Sequence, residues 1–155
     1  MKSSYTATIL WRSMAKLRLL IDINIVLDVV QHREEFYTHS ARVLDAIAYE
    51  QAEGLLAAHS VTTLFYLINR MQNRTTAVTT ITSLLNSFTV ATVNDEIMRT
   101  ALTWNWKDFE DAVQMATAVN AKADYIVTRN PRDFEHDLVP TIQPATLLPF
   151  LSISD

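Results

Sequence analysis

Leu17-Arg18-Leu19-Leu20-Ile21-Asp22 is the stretch that decides the fold, because a short aliphatic run closed by an acid is the pattern of a strand buried on both faces. Asp22 then stands where that strand leaves the sheet. From Asn24 the apolar positions switch to helical spacing, at Ile25, Leu27, Val29 and Val30, with Asn24 as the expected N-cap. Asn24 and Asp28 lie four residues apart and share one face of that helix.

Downstream the same alternation repeats. A helix is expected over 35–51 with Phe36, Ala41, Leu44, Ile47 and Ala48 as its buried stripe and Gly54 as its stop, followed by a strand over 55–58. Ser60 or Thr62 is the expected cap of a helix running through Met71 to a break at Asn73, and 75–85 reads as another helix despite its threonines. Then come a strand over 88–91, helices over 95–102 and 108–122, and a strand over 125–128. Pro140, Pro144 and Pro149 mark a C-terminal piece expected to add a short strand and to pack 145–151 on the core. Strands alternating with helices predict a parallel sheet, and right-handed crossovers place helices on both of its faces. Residues 1–16 have no clear period and read as a tail or an extra edge element, leaving 17–155 as one domain.

Composition narrows the chemistry. The chain has 155 residues, 49% of them hydrophobic and 19% charged, which suits one globular domain. A single glycine, Gly54, excludes the Gly-rich loops that cradle dinucleotides or nucleoside triphosphates. The lack of cysteine excludes disulfides, thiolate metal sites and cysteine nucleophiles. A net charge of -4 argues against coating nucleic acid by bulk positive charge. Thr6, Thr8, Arg12 and Ser13 interrupt any leader-like apolar run, and the uncharged stretch 75–94 holds seven threonines, too polar to span lipid. A cytoplasmic protein with no membrane segment is expected.

In an open parallel sheet the functional crevice lies at the carboxyl ends of the strands. Asp22, Asn24 and Asp28 follow the first strand there, and Thr128, Arg129, Asn130 and Asp133 follow the fourth. Asp108, Glu110 and Asp111 open the helix that precedes the fourth strand, so three acidic segments are expected on one rim. Carboxylates gathered without basic partners repel one another, and a divalent cation relieves that repulsion. Oxygen-only donors favour Mg²⁺ or Mn²⁺ over zinc. Hydrolysis of a phosphodiester is the chemistry such a cation assists.

Three blocks carry a family resemblance: Leu20-Ile21-Asp22-Ile23-Asn24-Ile25-Val26-Leu27-Asp28, Asp108-Phe109-Glu110-Asp111-Ala112, and the segment from Tyr125 to Phe134 containing Thr128-Arg129-Asn130-Pro131-Arg132-Asp133. In this order they resemble the signature blocks of PIN domains, over about residues 17–148. The resemblance implies a three-layer α/β/α sandwich with a central parallel sheet. It also implies an Mg²⁺- or Mn²⁺-dependent ribonuclease acting on RNA, as in the toxin halves of bacterial toxin-antitoxin pairs, with an antitoxin protein as partner and a homodimer as assembly. Matched by position, Asp22 and Asp111 are expected metal ligands, Asn130 or Asp133 completes the catalytic set, and Asp133 is a further candidate ligand. Asn24, Asp28 and Thr128 are expected to support these acids, and Arg129 and Arg132 to hold RNA phosphates. The family's second acid falls on Tyr66, and no acid stands on that helix.

Other features have plainer readings. Asp108 is the expected N-cap of its helix, Glu110 faces solvent, and Asp111 at the third position favours the helix dipole in any case. Arg33, Arg70, Arg74 and Lys107 are lesser candidates for phosphate contact. The four histidines show no ligand spacing, and Trp104 and Trp106 read as core or interface fillers before base-stacking groups. A partner- or RNA-binding domain that has lost catalysis is the alternative function, favoured by Tyr66. A phosphatase resembling the haloacid dehalogenases would need an aspartate where Asn24 stands.

Overall fold

The computed structural model describes residues 15–151, so of the expected N-terminal tail only Ala15 and Lys16 fall inside it. In chain order the elements are β1 (Arg18–Ile21), α1 (Ile23–Val30), α2 (Glu34–Ala48), β2 (Glu53–Ala57), α3 (Ala58–Met71), α4 (Arg74–Ser87), β3 (Phe88–Ala91), α5 (Asp95–Thr103), α6 (Phe109–Asn120), β4 (Tyr125–Val127), β5 (Thr141–Ile142) and α7 (Pro144–Leu147). The five strands form one sheet in the order β3-β2-β1-β4-β5, and every pairing is parallel.

The apolar run of β1 is continuous because both of its faces are covered. Leu19 and Ile21 join Leu56, Val127 and Ile142 in a core roofed by α1, α2, α3, α4 and α7. Leu20 points the other way, with Leu55 and Ile126 opposite it in the register, onto Met115 and Ala118 of α6. Ile97 and Ala101 of α5 close that second layer against Ala112, Val113 and Ala116 of α6. Side chains alternating at period 2 therefore feed two cores, and the result is the expected α/β/α sandwich.

Several local expectations are corrected. The cap of α1 is Asp22 rather than Asn24, since the Asp22 carboxylate accepts the Asn24 N–H and the helix begins two residues earlier, at Ile23. Neither Ser60 nor Thr62 caps α3, which starts directly from the end of β2 at Ala58. The stripe of α2 is Ser40, Val43, Ala46 and Ile47, while Ala48 is exposed. Gly54 does not stop α2; that helix ends at Ala48, followed by Glu50 in the left-handed region at φ 60°.

Gly54 lies inside β2, where a Cβ would stand 2.6 Å from Ile47 Cγ2 and 2.6 Å from the Phe88 ring. Its role is close approach, not helix termination. Both neighbours are buried and cannot swing into solvent. Gly54→Ala is therefore expected to lower the free energy of unfolding by about 1–3 kcal/mol, read as a fall in the urea midpoint.

Candidate metal centre at the sheet edge

Strand order reverses between β1 and β4, and the crevice of such a sheet opens at the carboxyl ends of that pair. Asp22 sits there. Its backbone N–H donates to the Val127 carbonyl at 3.0 Å, continuing the ladder one residue past β1. Its carboxylate accepts from the Asn24 N–H at 3.2 Å and from the Thr128 hydroxyl at 2.9 Å. Thr128 Oγ1 also accepts the Asn130 N–H at 3.2 Å, so the turn after β4 is tied to the same acid. Burial pushes the Asp22 carboxyl above its ordinary pKa, opposed by those two hydrogen bonds and by the Arg129 charge.

Asp111 occupies the first turn of α6, where Asp108 caps the helix by accepting the Asp111 N–H at 3.2 Å. Its carboxyl is pushed up to about 7, first by burial and then by the charges of Asp108, Asp22, Asp133 and Glu110. The charges of two distant segments thus reach Asp111 across this edge. Among the described residues none of Asp22, Asp111 or Asp133 has a salt-bridging cation. Asp108, Asp111 and Asp133 line a cleft of about 430 Å³ with Lys107, Arg132 and Glu135.

The third acidic segment is looser. Asp133 ends a 3₁₀ turn over Pro131–Asp133, with its N–H donating to the Asn130 carbonyl at 3.1 Å, and both Asn130 and Asp133 are exposed. Among the described residues no three His, Cys, Asp or Glu side chains gather tightly enough to enclose an ion, so the acids form an open rim rather than a closed cage. The donor chemistry still suits a hard divalent cation: oxygen-only, unneutralised and self-repelling.

Asp28 is fully buried and does not reach this rim as a ligand. It accepts from Ser40 Oγ at 3.0 Å and pairs with Arg33 at 3.4 Å and Arg129 at 3.6 Å. Arg129, expected at RNA phosphates, is turned inward between Asp28 and the Phe36 ring, whose centroid lies 4.3 Å from the guanidinium carbon. Arg70 donates to the Tyr66 hydroxyl and Arg74 lies over Phe65, which leaves exposed Arg132 and Lys107 as the cations of the cleft. Tyr66 is itself exposed on α3.

The spacing of His59 gives it no role, yet its Nε2 stands 4.0 Å from the Glu110 carboxylate. Burial holds its pKa below the usual value, with Glu110 opposing. Its place just past the end of β2, next to β1 in the sheet, is the only sign, and that sign needs the strand order.

The sequence profile of the PIN domain matches residues 18–132, which runs from β1 into the turn after β4 and takes in Asp22, Asp108, Glu110 and Asp111 but stops one residue short of Asp133. The chain belongs to the PIN-domain family. Solved structures share this PIN fold at low identity. VapC20 of Mycobacterium tuberculosis, a sarcin-ricin loop cleaving toxin, superposes with a TM-score of 0.59 at 15% identity, covering 70% of this chain and 86% of that one. VapBC2 from Rickettsia felis, bound to a promoter DNA fragment, gives 0.64 at 10% identity over 82% and 98%. A toxin-antitoxin complex from Klebsiella pneumoniae gives 0.62 at 17% identity over 81% and 97%. No curated protein matches the sequence significantly. Among the described residues of this PIN domain no helix is long and apolar enough to cross a membrane.

Proposed function

We propose that this PIN domain is an Mg²⁺- or Mn²⁺-dependent endoribonuclease, the toxin of a toxin-antitoxin pair, working in the cytoplasm as a homodimer held in check by an antitoxin protein. The observation that carries the reading is that Asp22 stands at the switch point of the sheet while Asp111 and Asp133 line one cleft and Asp111 feels the charge of both, none of the three having a salt-bridging cation among the described residues. Membership of the PIN family and the likeness of fold to toxins such as VapC20 support it. Asp22, Asp111 and Asp133 would hold the ion, with the Asn130 side chain as a neutral oxygen donor. When bound, such an ion neutralises phosphoryl charge and lowers the pKa of a water.

The protein's own groups set the stage for that chemistry. Thr128 and the Asn24 N–H fix the Asp22 carboxylate in one rotamer, and the Asp108 cap fixes the first turn that carries Asp111. Arg132 and Lys107 stand at the cleft mouth to take the phosphates of the RNA strand. The test is Mn²⁺-stimulated RNA cleavage by the wild-type chain beside Asp111→Asn. Loss in the variant supports the reading; equal residual activity points to contamination and removes it. The specific observation favouring the second reading, a non-catalytic RNA- or partner-binding PIN domain, is exposed Tyr66 where the family places an acid.

A pH dependence follows from Asp111. An ion must displace its proton, so Mn²⁺ affinity is expected to climb as pH rises towards about 7, by up to about tenfold per pH unit, and to level off above it. Calorimetric titrations at about pH 5.5 and about pH 8 measure this, and Asp111→Asn flattens the dependence. Stability of the ion-free chain runs the other way. The folded pKa lies above the ordinary 3.8, so the native state binds the extra proton between roughly pH 4 and 7 and loses stability as pH rises through that window.

A further inference from the structure

Beside the acidic rim the chain builds an aromatic shelf that the cleavage chemistry does not use. The indoles of Trp104 and Trp106 stack with centroids 5.7 Å apart and planes 30° from parallel. His136 meets both edge-on, at 4.4 Å and 4.7 Å, and Phe134 meets Trp106 edge-on at 6.2 Å. Both indoles pack in part against the core between α5 and α6 and keep the rest of their surface open. They follow directly into the cleft: Lys107 is next to Trp106, and Asp133 is next to Phe134.

The charges of that cleft are not equally free. Asp108 is occupied by the Asp111 N–H, and Glu135 accepts the Lys107 N–H at 2.7 Å. Asp111 and Asp133 remain for a cation, while Lys107 and Arg132 make no salt bridge among the described residues. Two uncommitted cations beside two partly exposed, stacked indoles form the combination that binds single-stranded nucleic acid, with phosphates on the cations and bases on the rings. The cleft, at about 430 Å³, is large enough for a nucleotide-sized ligand.

We infer that Trp104 and Trp106 form a stacking seat for an unpaired base of the RNA, one or two nucleotides from the phosphate at Asp111, with Lys107 and Arg132 on the intervening backbone. This rests on the ribonuclease reading for its ligand. Stacking asks only for a π-face, so the seat selects unpaired bases without selecting which base.

The test measures binding of a fluorescently labelled single-stranded oligoribonucleotide and of a blunt RNA duplex by anisotropy, in the Asp22→Asn background with Mn²⁺, so that RNA stays whole. Trp106→Leu keeps an apolar filler but removes the large π-face, and is expected to weaken single-strand binding about 5- to 100-fold. Trp106→Phe is expected to recover most of that loss. Circular dichroism and thermal unfolding of both variants check that the fold is kept. Trp106→Leu binding the single strand as tightly as its parent, or the duplex binding as well as the single strand, overturns the seat. Wild-type cleavage measured in parallel separates the two claims. Trp106-dependent binding by a chain that never cleaves leaves the seat standing and removes the nuclease. Cleavage lost in Asp22→Asn, with binding indifferent to Trp106, does the reverse.

Discussion

Asp22→Asn is expected to abolish the proposed metal-dependent RNA cleavage, with a loss on the order of 10³-fold or more, because a carboxylate bound to an ion supplies several kcal/mol of charge stabilisation that an amide does not. The fold is expected to survive. Asn keeps one oxygen to accept the Asn24 N–H, and its NH2 group, where Asp22 presents its second oxygen, donates to Thr128 Oγ1 instead of accepting from it, so β1 stays tied to α1 and to the end of β4. Removing a buried carboxyl whose pKa is already raised by burial also relieves a cost, so the thermal midpoint should hold or rise. Single-turnover cleavage in Mn²⁺ paired with thermal unfolding checks both halves. A variant that still cleaves at the wild-type rate would falsify the assignment of Asp22, whatever became of its stability.

Asp28→Ala carries the largest expected effect on folding. Fully buried Asp28 anchors Ser40 of α2 as well as Arg33 and Arg129, and its loss leaves two guanidinium groups without their carboxylate. A cost of about 3 kcal/mol is expected, since removing one partner strands the other charge in a poorly hydrated place. Asp28→Asn should cost less, because the amide oxygen can still face Arg33 and Arg129 while the NH2 group donates to Ser40 Oγ. Cleavage should fall in both, as Arg129, whose charge favours ionised Asp22 by more than the Asp28 charge opposes it, is released from its position. Chemical unfolding of the two variants gives the first quantity, and cleavage measured well below their midpoints gives the second.

Much of this fold was legible because its signals are short-ranged. A run of six residues announced β1 and the acid after it, and the alternation of strands with helices announced the parallel sheet. The Asp108 cap was legible for the same reason, since a side chain bonding three residues onward depends on little beyond its own turn. Errors fell where a local signal had two meanings. Gly54 looks like a helix stop from sequence, but the pressure on it comes from Ile47 and Phe88, the latter thirty-four residues away along the chain and beside it in the next strand. The stripe expected for α2 is right at Ile47 and Leu44 but wrong at Ala48, because 35–51 offers apolar residues on more than one face and only the packing partners choose among them.

The candidate site divides along the same line. Its residue types, Asp22, Asp111, Asn130 and Asp133, and the absence of an acid on α3 stand in the sequence itself, since each belongs to a short block of fixed spacing. Which of the polar residues face one another did not. Asp28 and Asn24 share a helical face on paper, yet burial sends the first to Arg33 and Arg129 and leaves Asp22 to bond the backbone of the second. The raised pKa of Asp111 and the approach of His59 to Glu110 exist only once β1, β2 and β4 lie side by side. Electrostatic coupling depends on distance through space and on exclusion of water, and neither quantity is defined until the chain has closed on itself.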